Sequence, residues 1–227
     1  MNWYVAVGLF GLISGLVAAL ADVPLVKPGK GTDQMLSAKP QSWWMEVPEK
    51  RFTTSFWLSF LGQPGTYLTM WMLAILIGKS NAGLGLALKI NTFIGCYTGL
   101  LCHVIYCIKP LVYRKTHGKL TDREISDALE VMDKVSRVPM IIGFLSLWLG
   151  TTVIVTAAII RGDLNIPMWG LLLNPIPSTI VLLILKKCKI KIIGALGVGF
   201  MTFALLLIAV GIRMMPCLVW IVCYCRT

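Results

Sequence analysis

The chain has 227 residues, of which 57% are hydrophobic and only 14% charged, and its mean hydropathy is +0.79. Soluble domains carry roughly a quarter of their residues as charges, so an ordinary globular domain is excluded, and apolar blocks near bilayer length mark an integral membrane protein of one domain. A formal net charge of +11 would suggest nucleic acid as the partner of a soluble protein, but here the lysines and arginines gather on alternate loops, which excludes nucleic acid and orients the chain instead.

Span one is predicted at about residues 3–21, opened by Trp3 and Tyr4 at interfacial depth. Gly8, Gly11, Gly15 and Asp22 share one helical face, so Asp22 is expected to point inward with the glycines that approach other helices. Ala19-Leu20-Ala21 has the small-residue look of a cleavage site, but no basic stretch precedes it, so span one is expected to be retained.

Residues 23–54 hold Pro24, Pro28, Pro40 and Pro48, a spacing that fits neither a strand nor a long helix. The segment reads as a loop pressed onto the cytosolic membrane surface by Trp43 and Trp44. Span two follows at about 55–78, with Ser59, Gln63, Thr66 and Met70 on one side and Pro64 freeing a carbonyl that needs a partner in lipid.

Span three, about 84–108, carries a Gly95-x-x-x-Gly99 notch suited to close helix approach and the only histidine inside an apolar span, His103. Thr92, Cys96, Gly99, His103 and Cys107 lie on one stripe. Its cysteines and histidine have a spacing that could share an ion, but catalytic zinc wants more histidine or carboxylate, so packing is the adopted reading and neither a metal nor a cofactor is expected. The seven cysteines form no secreted disulfide framework and are expected to be mostly reduced and packed.

Thr121-Asp122-Arg123-Glu124 is a capping box, and Ile125, Leu129 and Met132 then recur at helical spacing. A short amphipathic helix is therefore predicted at about 121–136, lying on the membrane, with ion pairs Glu130–Lys134 and Asp133–Arg137. Span four is predicted at about 138–160, span five at about 167–185 and span six at about 192–214, with an apolar tail from Cys217 to Cys225 too short to cross again. In span five, Asn174-Pro175-Ile176-Pro177 should break the helical ladder at membrane depth. Sixteen of the 21 lysines and arginines fall on loops one, three and five, so both termini are expected to face away from the cytosol.

With that orientation, Asp22, Gln63 and His103 each lie roughly 8–12 Å in from the cytosolic interface at 1.5 Å of rise per residue. Ionisable groups in the bilayer are costly and usually serve a purpose. Ser59 is the only serine expected near His103, and no nucleophile elbow surrounds it.

At Ala21-Asp22-Val23-Pro24-Leu25, Gln63-Pro64-Gly65, His103 and Pro167-Met168-Trp169 with Asn174-Pro175, the chain resembles a family of small multi-pass bacterial membrane proteins with no established function. The likeness covers most of spans one to five; where that family commonly ends span one in Gly-Asp, this chain has Ala21-Asp22. The resemblance implies that Asp22, His103 and Asn174 occur together, and it implies no substrate.

The sequence therefore points to an all-α bundle of six transmembrane helices plus one amphipathic cytosolic helix, in the cell membrane, with the lipid bilayer as its first partner. Its leading function is binding or transport of a small or lipid-like ligand in a cytosol-facing pocket formed by Asp22, Gln63 and His103, with Asn174 at the broken helix. Two alternatives stand beside it. One is an intramembrane enzyme for a lipid or isoprenoid, with His103 as catalytic acid or base and Asp22 orienting it; the other is a non-catalytic partner or immunity protein. A homo-oligomer is compatible with all three.

Overall fold

The computed structural model describes residues 2–25, 41–187 and 195–214. The tail from Cys217 to Cys225, the loop residues Pro28 and Pro40, and the predicted start of span six at residues 192–194 lie outside the described residues. Within them the chain is all-α and holds no strand: α1 (Trp3–Asp22), α2 (Trp43–Glu46), α3 (Lys50–Ser80), α4 (Ala82–Thr116), α5 (Asp122–Phe144), α6 (Thr151–Ile160), α7 (Pro175–Lys187) and α8 (Ala195–Arg213).

Four helical segments are long and apolar enough to cross a membrane: Trp3–Leu25, Lys50–Ser80, Ala82–Thr116 and Asp122–Ile160. The last of these corrects the sequence reading. The capping box is present at Thr121 and Glu124, but the helix it starts does not end near residue 136. It runs through Pro139 and a six-residue π-helical segment, Leu145–Gly150, straight into α6. The π segment has a local cause: the Asn91 amide of α4 donates to the Ser146 carbonyl at 2.9 Å and to Thr151 Oγ1 at 2.8 Å, so a neighbour's side chain inserts into the helical ladder.

Span five is interrupted at the expected place. Met168–Leu173 is a 3₁₀ segment, Asn174 is extended, and α7 begins at Pro175. Prolines at the first positions of a helix lose no hydrogen bond, because those N–H groups lack helical partners anyway. Pro175 and Pro177 therefore start α7, and the helical ladder is interrupted at Asn174, where the sequence predicts a break. α7 has 13 residues, about 20 Å of rise, and does not by itself cross a core of about 30 Å.

The main core lies where α1 packs between α3 and α8 and where α3 packs on α4. Gly8 and Gly15 face α8, whereas Gly11 faces α3, so the glycine stripe of α1 serves two neighbours. A Cβ at Gly11 would collide with the Thr69 hydroxyl and sit 3.3 Å from the Gly65 carbonyl oxygen. On α4, Gly95 receives Leu147 of the π segment.

A second, smaller core closes the end of the bundle where α1 finishes and α3 begins. It joins Leu25, Trp43, Trp44 and Phe52 to Cys107, Ile125 and Leu129. This overturns the membrane-surface role expected for the tryptophans: Trp43 and Trp44 are 3% and 6% exposed and face the protein. Trp44 packs edge-on to Tyr113 at 5.6 Å between ring centroids. The stretch 41–49 is a strap folded across the helix ends, and α3 starts at Lys50, five residues before the predicted span.

Candidate functional site

Beneath that strap, three helices bring four polar side chains together. Asp22 comes from the last turn of α1, Ser55 from the second turn of α3, and His103 and Cys107 from successive turns of α4. The antiparallel pairing of α3 with α4 around Asn81, whose side chain accepts from Leu84 N–H and caps α4, sets Ser55 level with residues 103–107.

Ser55 is fully buried. Its hydroxyl donates to the Ala21 carbonyl at 2.7 Å, and its oxygen lies 3.0 Å from His103 Nε2. The Cys107 thiol donates to the same oxygen at 3.4 Å. A serine has one hydrogen to give, and it is committed to Ala21, so Nε2 carries a hydrogen and donates. The other ring nitrogen, Nδ1, faces Asp22 Oδ1 at 3.5 Å. A bare Nδ1 lone pair against a bare carboxylate would be repulsive, so one proton belongs to this pair, on the imidazole or on the carboxyl. Either placement leaves the pair with zero net charge, which lowers the cost of burying it. Asp22 and His103 side chains are 9% and 15% exposed. The arrangement can hold a proton and shift it between two atoms without moving the backbone.

The strap is anchored by arginines. Arg114 of α4 donates to the Trp44 carbonyl at 2.7 Å and the Val47 carbonyl at 2.6 Å. Arg51 donates to the Pro24 carbonyl at 2.7 Å, tying the exit of α1 to the start of α3. These cations satisfy carbonyls left without helical partners and hold the strap over Cys107 and its neighbours.

A cavity of about 300 Å³ opens along the α3–α4 seam. Phe60, Tyr67, Phe93, Tyr97 and Leu100 wall it, and Gln63 contributes an amide with no hydrogen-bond partner among the described residues. Leu100 stands three residues, about one helical turn, from His103. Gln63 itself lies eight residues along α3 from Ser55, roughly 12 Å of rise. It belongs to this groove and makes no hydrogen bond to the Asp22–His103 pair.

Asn174 is placed elsewhere. It is 1% exposed and precedes α7, where its amide nitrogen lies 3.3 Å from the Leu171 carbonyl and 3.4 Å from Thr156 Oγ1, and Oδ1 has no partner among the described residues. Thr156 is 20 residues beyond Ser136 on the same continuous helix, roughly 30 Å of rise, and Ser136 is level with Cys102 through a 3.5 Å contact. Asn174 and His103 therefore sit toward opposite ends of the bundle.

A profile described as a family of unknown function, DUF6796, matches residues 2–218. The chain belongs to that family. No curated protein and no solved structure matches it, so this DUF6796 chain takes no substrate from a relative and its site must be read from its own geometry. Ser55 is the residue that sequence reasoning missed. Ser59, the serine singled out, bonds instead to the Phe56 carbonyl of its own helix at 2.8 Å. Treating Ser55 as the first residue of a span hid it, and the charge-rich turn Lys50-Arg51 that extends α3 was the available signal. Among the described residues of this DUF6796 chain, no three His, Cys, Asp or Glu side chains converge as metal ligands. Cys96 lines the groove while Cys107 faces Ser55.

Proposed function

We propose that the protein is a multi-pass membrane protein that binds a small or lipid-like ligand, with the ligand's apolar part in the α3–α4 groove beside Gln63 and its polar end toward the Asp22–His103 pair. The observation that carries this reading is the groove itself: an aromatic-walled cavity whose Leu100 stands one helical turn from His103 of the buried Asp22–His103 pair. Buried ionisable side chains in such segments mark functional sites. Asn174 lies too far along the bundle to touch the same small ligand.

Six crossings are supported by arithmetic on the short elements. Taken end to end, the 3₁₀ segment Met168–Leu173 at about 2 Å per residue and the 13 residues of α7 at about 1.5 Å make roughly 30 Å. α8, at 19 residues, is close to the roughly 20 needed. An even number of crossings agrees with the basic loops, which place the Asp22 end in the cytosol and both termini outside it.

The order Ser55–His103–Asp22 favours a second reading, an intramembrane enzyme for a lipid or isoprenoid with His103 as acid or base. Ser55 is buried and its hydrogen is engaged, so in this reading it supports His103 and does not attack.

The test is binding of cis-parinaric acid, a fluorescent chain-bearing acid, to protein purified in mild detergent. Wild type should bind it, and both Leu100→Trp, which fills the groove, and His103→Ala should weaken binding about tenfold or more while the protein stays monodisperse. Binding unchanged by Leu100→Trp refutes the groove. Loss of folded protein in His103→Ala, with Leu100→Trp binding normally, assigns the pair to structural support.

A further inference from the structure

On the opposite side of α4 from the groove, a second cavity of about 300 Å³ lies between α4 and α5. At roughly 30 Å³ per water, it is far larger than one bridging solvent molecule requires. Its walls carry both signs of charge: Glu130 and Asp133, Lys134 and Arg137, together with Tyr106 and Met140.

Two of these groups have bonding capacity to spare. Lys109, 2% exposed, gives its ammonium to Asp133 Oδ1. The second carboxylate oxygen, Oδ2, is buried without a partner among the described residues. It is an acceptor that lacks a donor, and such an atom is expensive to bury. The Tyr106 hydroxyl points at the Met140 sulfur at 3.3 Å, a weak acceptor that a stronger anion would displace.

Depth supplies the other observation. Arg137 is the last charged residue on this helix before Arg161, and Val138, Ile141, Phe144 and Leu145 beyond it are exposed and apolar. The cavity therefore lies where the helix passes from charged to lipid-compatible surface, the level of phospholipid headgroups.

We infer that this cavity binds an ammonium–phosphate zwitterion, the headgroup of an ethanolamine phospholipid. The ammonium donates to Asp133 Oδ2 and is flanked by Glu130, and the phosphate meets Arg137, Lys134 and the Tyr106 hydroxyl. A choline headgroup has no N–H to give, so it leaves Oδ2 unsatisfied. A glycerol headgroup offers Oδ2 only a neutral hydroxyl in place of an ammonium. The inference rests on the membrane placement proposed above and is independent of the Asp22–His103 site.

The experiment is native mass spectrometry of the detergent-purified chain titrated with phosphatidylethanolamine, phosphatidylcholine and phosphatidylglycerol of identical acyl chains. Wild type should prefer phosphatidylethanolamine by about tenfold, the equivalent of one satisfied hydrogen bond at about 1.4 kcal/mol. Asp133→Asn should abolish the preference. Because that change also alters a buried ion pair, Glu130→Gln and Arg137→Gln, both exposed, serve as second variants, each expected to reduce it severalfold. Equal binding of the three lipids, tighter binding of phosphatidylglycerol, or a preference unmoved by Arg137→Gln overturns the assignment. Soluble phosphoethanolamine binding as tightly as the lipid overturns the lipid as the source of the headgroup.

Discussion

Two buried serines one helical turn apart on α3 provide the sharpest check on the proposed centre. Ser55 and Ser59 are chemically identical and 0% and 5% exposed, yet their hydroxyls do different things. Ser59 bonds within its own helix to Phe56, a bond whose loss restores an ordinary helical turn. Ser55 links three helices, giving its hydrogen to Ala21 and receiving one from His103 and one from Cys107. Ser55→Ala leaves the Ala21 carbonyl, in the last turn of α1, and the His103 N–H without partners. Each unsatisfied buried group costs about 1–3 kcal/mol, which would make the two together worth about 2–6 kcal/mol. Polar contacts between membrane helices average nearer 0.6 kcal/mol, because the unfolded chain in the bilayer also finds partners.

The expected cost of Ser55→Ala is therefore about 2 kcal/mol, against about 0.5 or less for Ser59→Ala. Reversible unfolding in mixed micelles by sodium dodecyl sulfate titration measures both. A double-mutant cycle adds the decisive arm: with His103→Ala already present, Ser55→Ala should cost about 1 kcal/mol less than alone. Equal costs for the two serines, or additive effects of Ser55 and His103, would refute the geometry of the centre.

The buried ion pair gives a second expectation. Lys109→Met strands the Asp133 carboxylate, which is about one-fifth exposed, and should destabilise by about 2–3 kcal/mol, while Lys109→Met with Asp133→Leu should regain most of that loss, since apolar replacement of both partners is often neutral; the same titration reads both. Helix crossings give a third. Gly11→Val drives a branched side chain into Thr69 and the Gly65 carbonyl and should cost about 2–3 kcal/mol or prevent folding, whereas Gly118→Ala, at φ +77° with nothing within 4 Å, should cost only about 1 kcal/mol of backbone strain; a circular-dichroism melt that ranks Gly118→Ala as the worse change would contradict the packing.

What could be read in advance was whatever a single helix encodes by itself. The inward face of Asp22, the stripe through His103 and the capping box at Thr121 all follow from helical periodicity or from a four-residue motif. What stayed hidden depends on a neighbouring element. Asp133 and Arg137 have ideal spacing for a pair on one helix, but Asp133 faces Lys109 of α4 instead, because a carboxylate turned toward a buried ammonium gains more than one facing solvent. Trp43 and Trp44 have the composition of a membrane anchor, and only the apolar floor offered by Phe52, Cys107, Ile125 and Leu129 turns them inward. Pro139 and the polar-to-apolar switch at Val138 mimic a helix boundary. The chain continues because a proline costs one hydrogen bond, while separating the segments would forfeit the packing of Ile125 and Leu129.

These hidden contacts share one helix. α4 presents His103 and Cys107 to α3, Tyr106 and Lys109 to α5, and Arg114 to the strap, with successive residues about 100° apart around its axis. Turning α4 by a single residue would separate His103 from Ser55, draw Lys109 away from Asp133 and pull Arg114 off the strap carbonyls together. On its far stretch, Asn91 donating into the π segment and Gly95 receiving Leu147 hold the same rotation. The rotational setting of α4 is thus fixed from both ends by polar groups that lipid cannot replace. Asn91→Leu, remote from His103 by 12 residues, should accordingly loosen both the Ser55–His103 contact and the α4–α5 cavity. Measured on one preparation, parallel losses in parinaric-acid binding and in headgroup preference are the expected pattern, and a loss confined to one of the two would mean that α3 and α5 hold α4 independently.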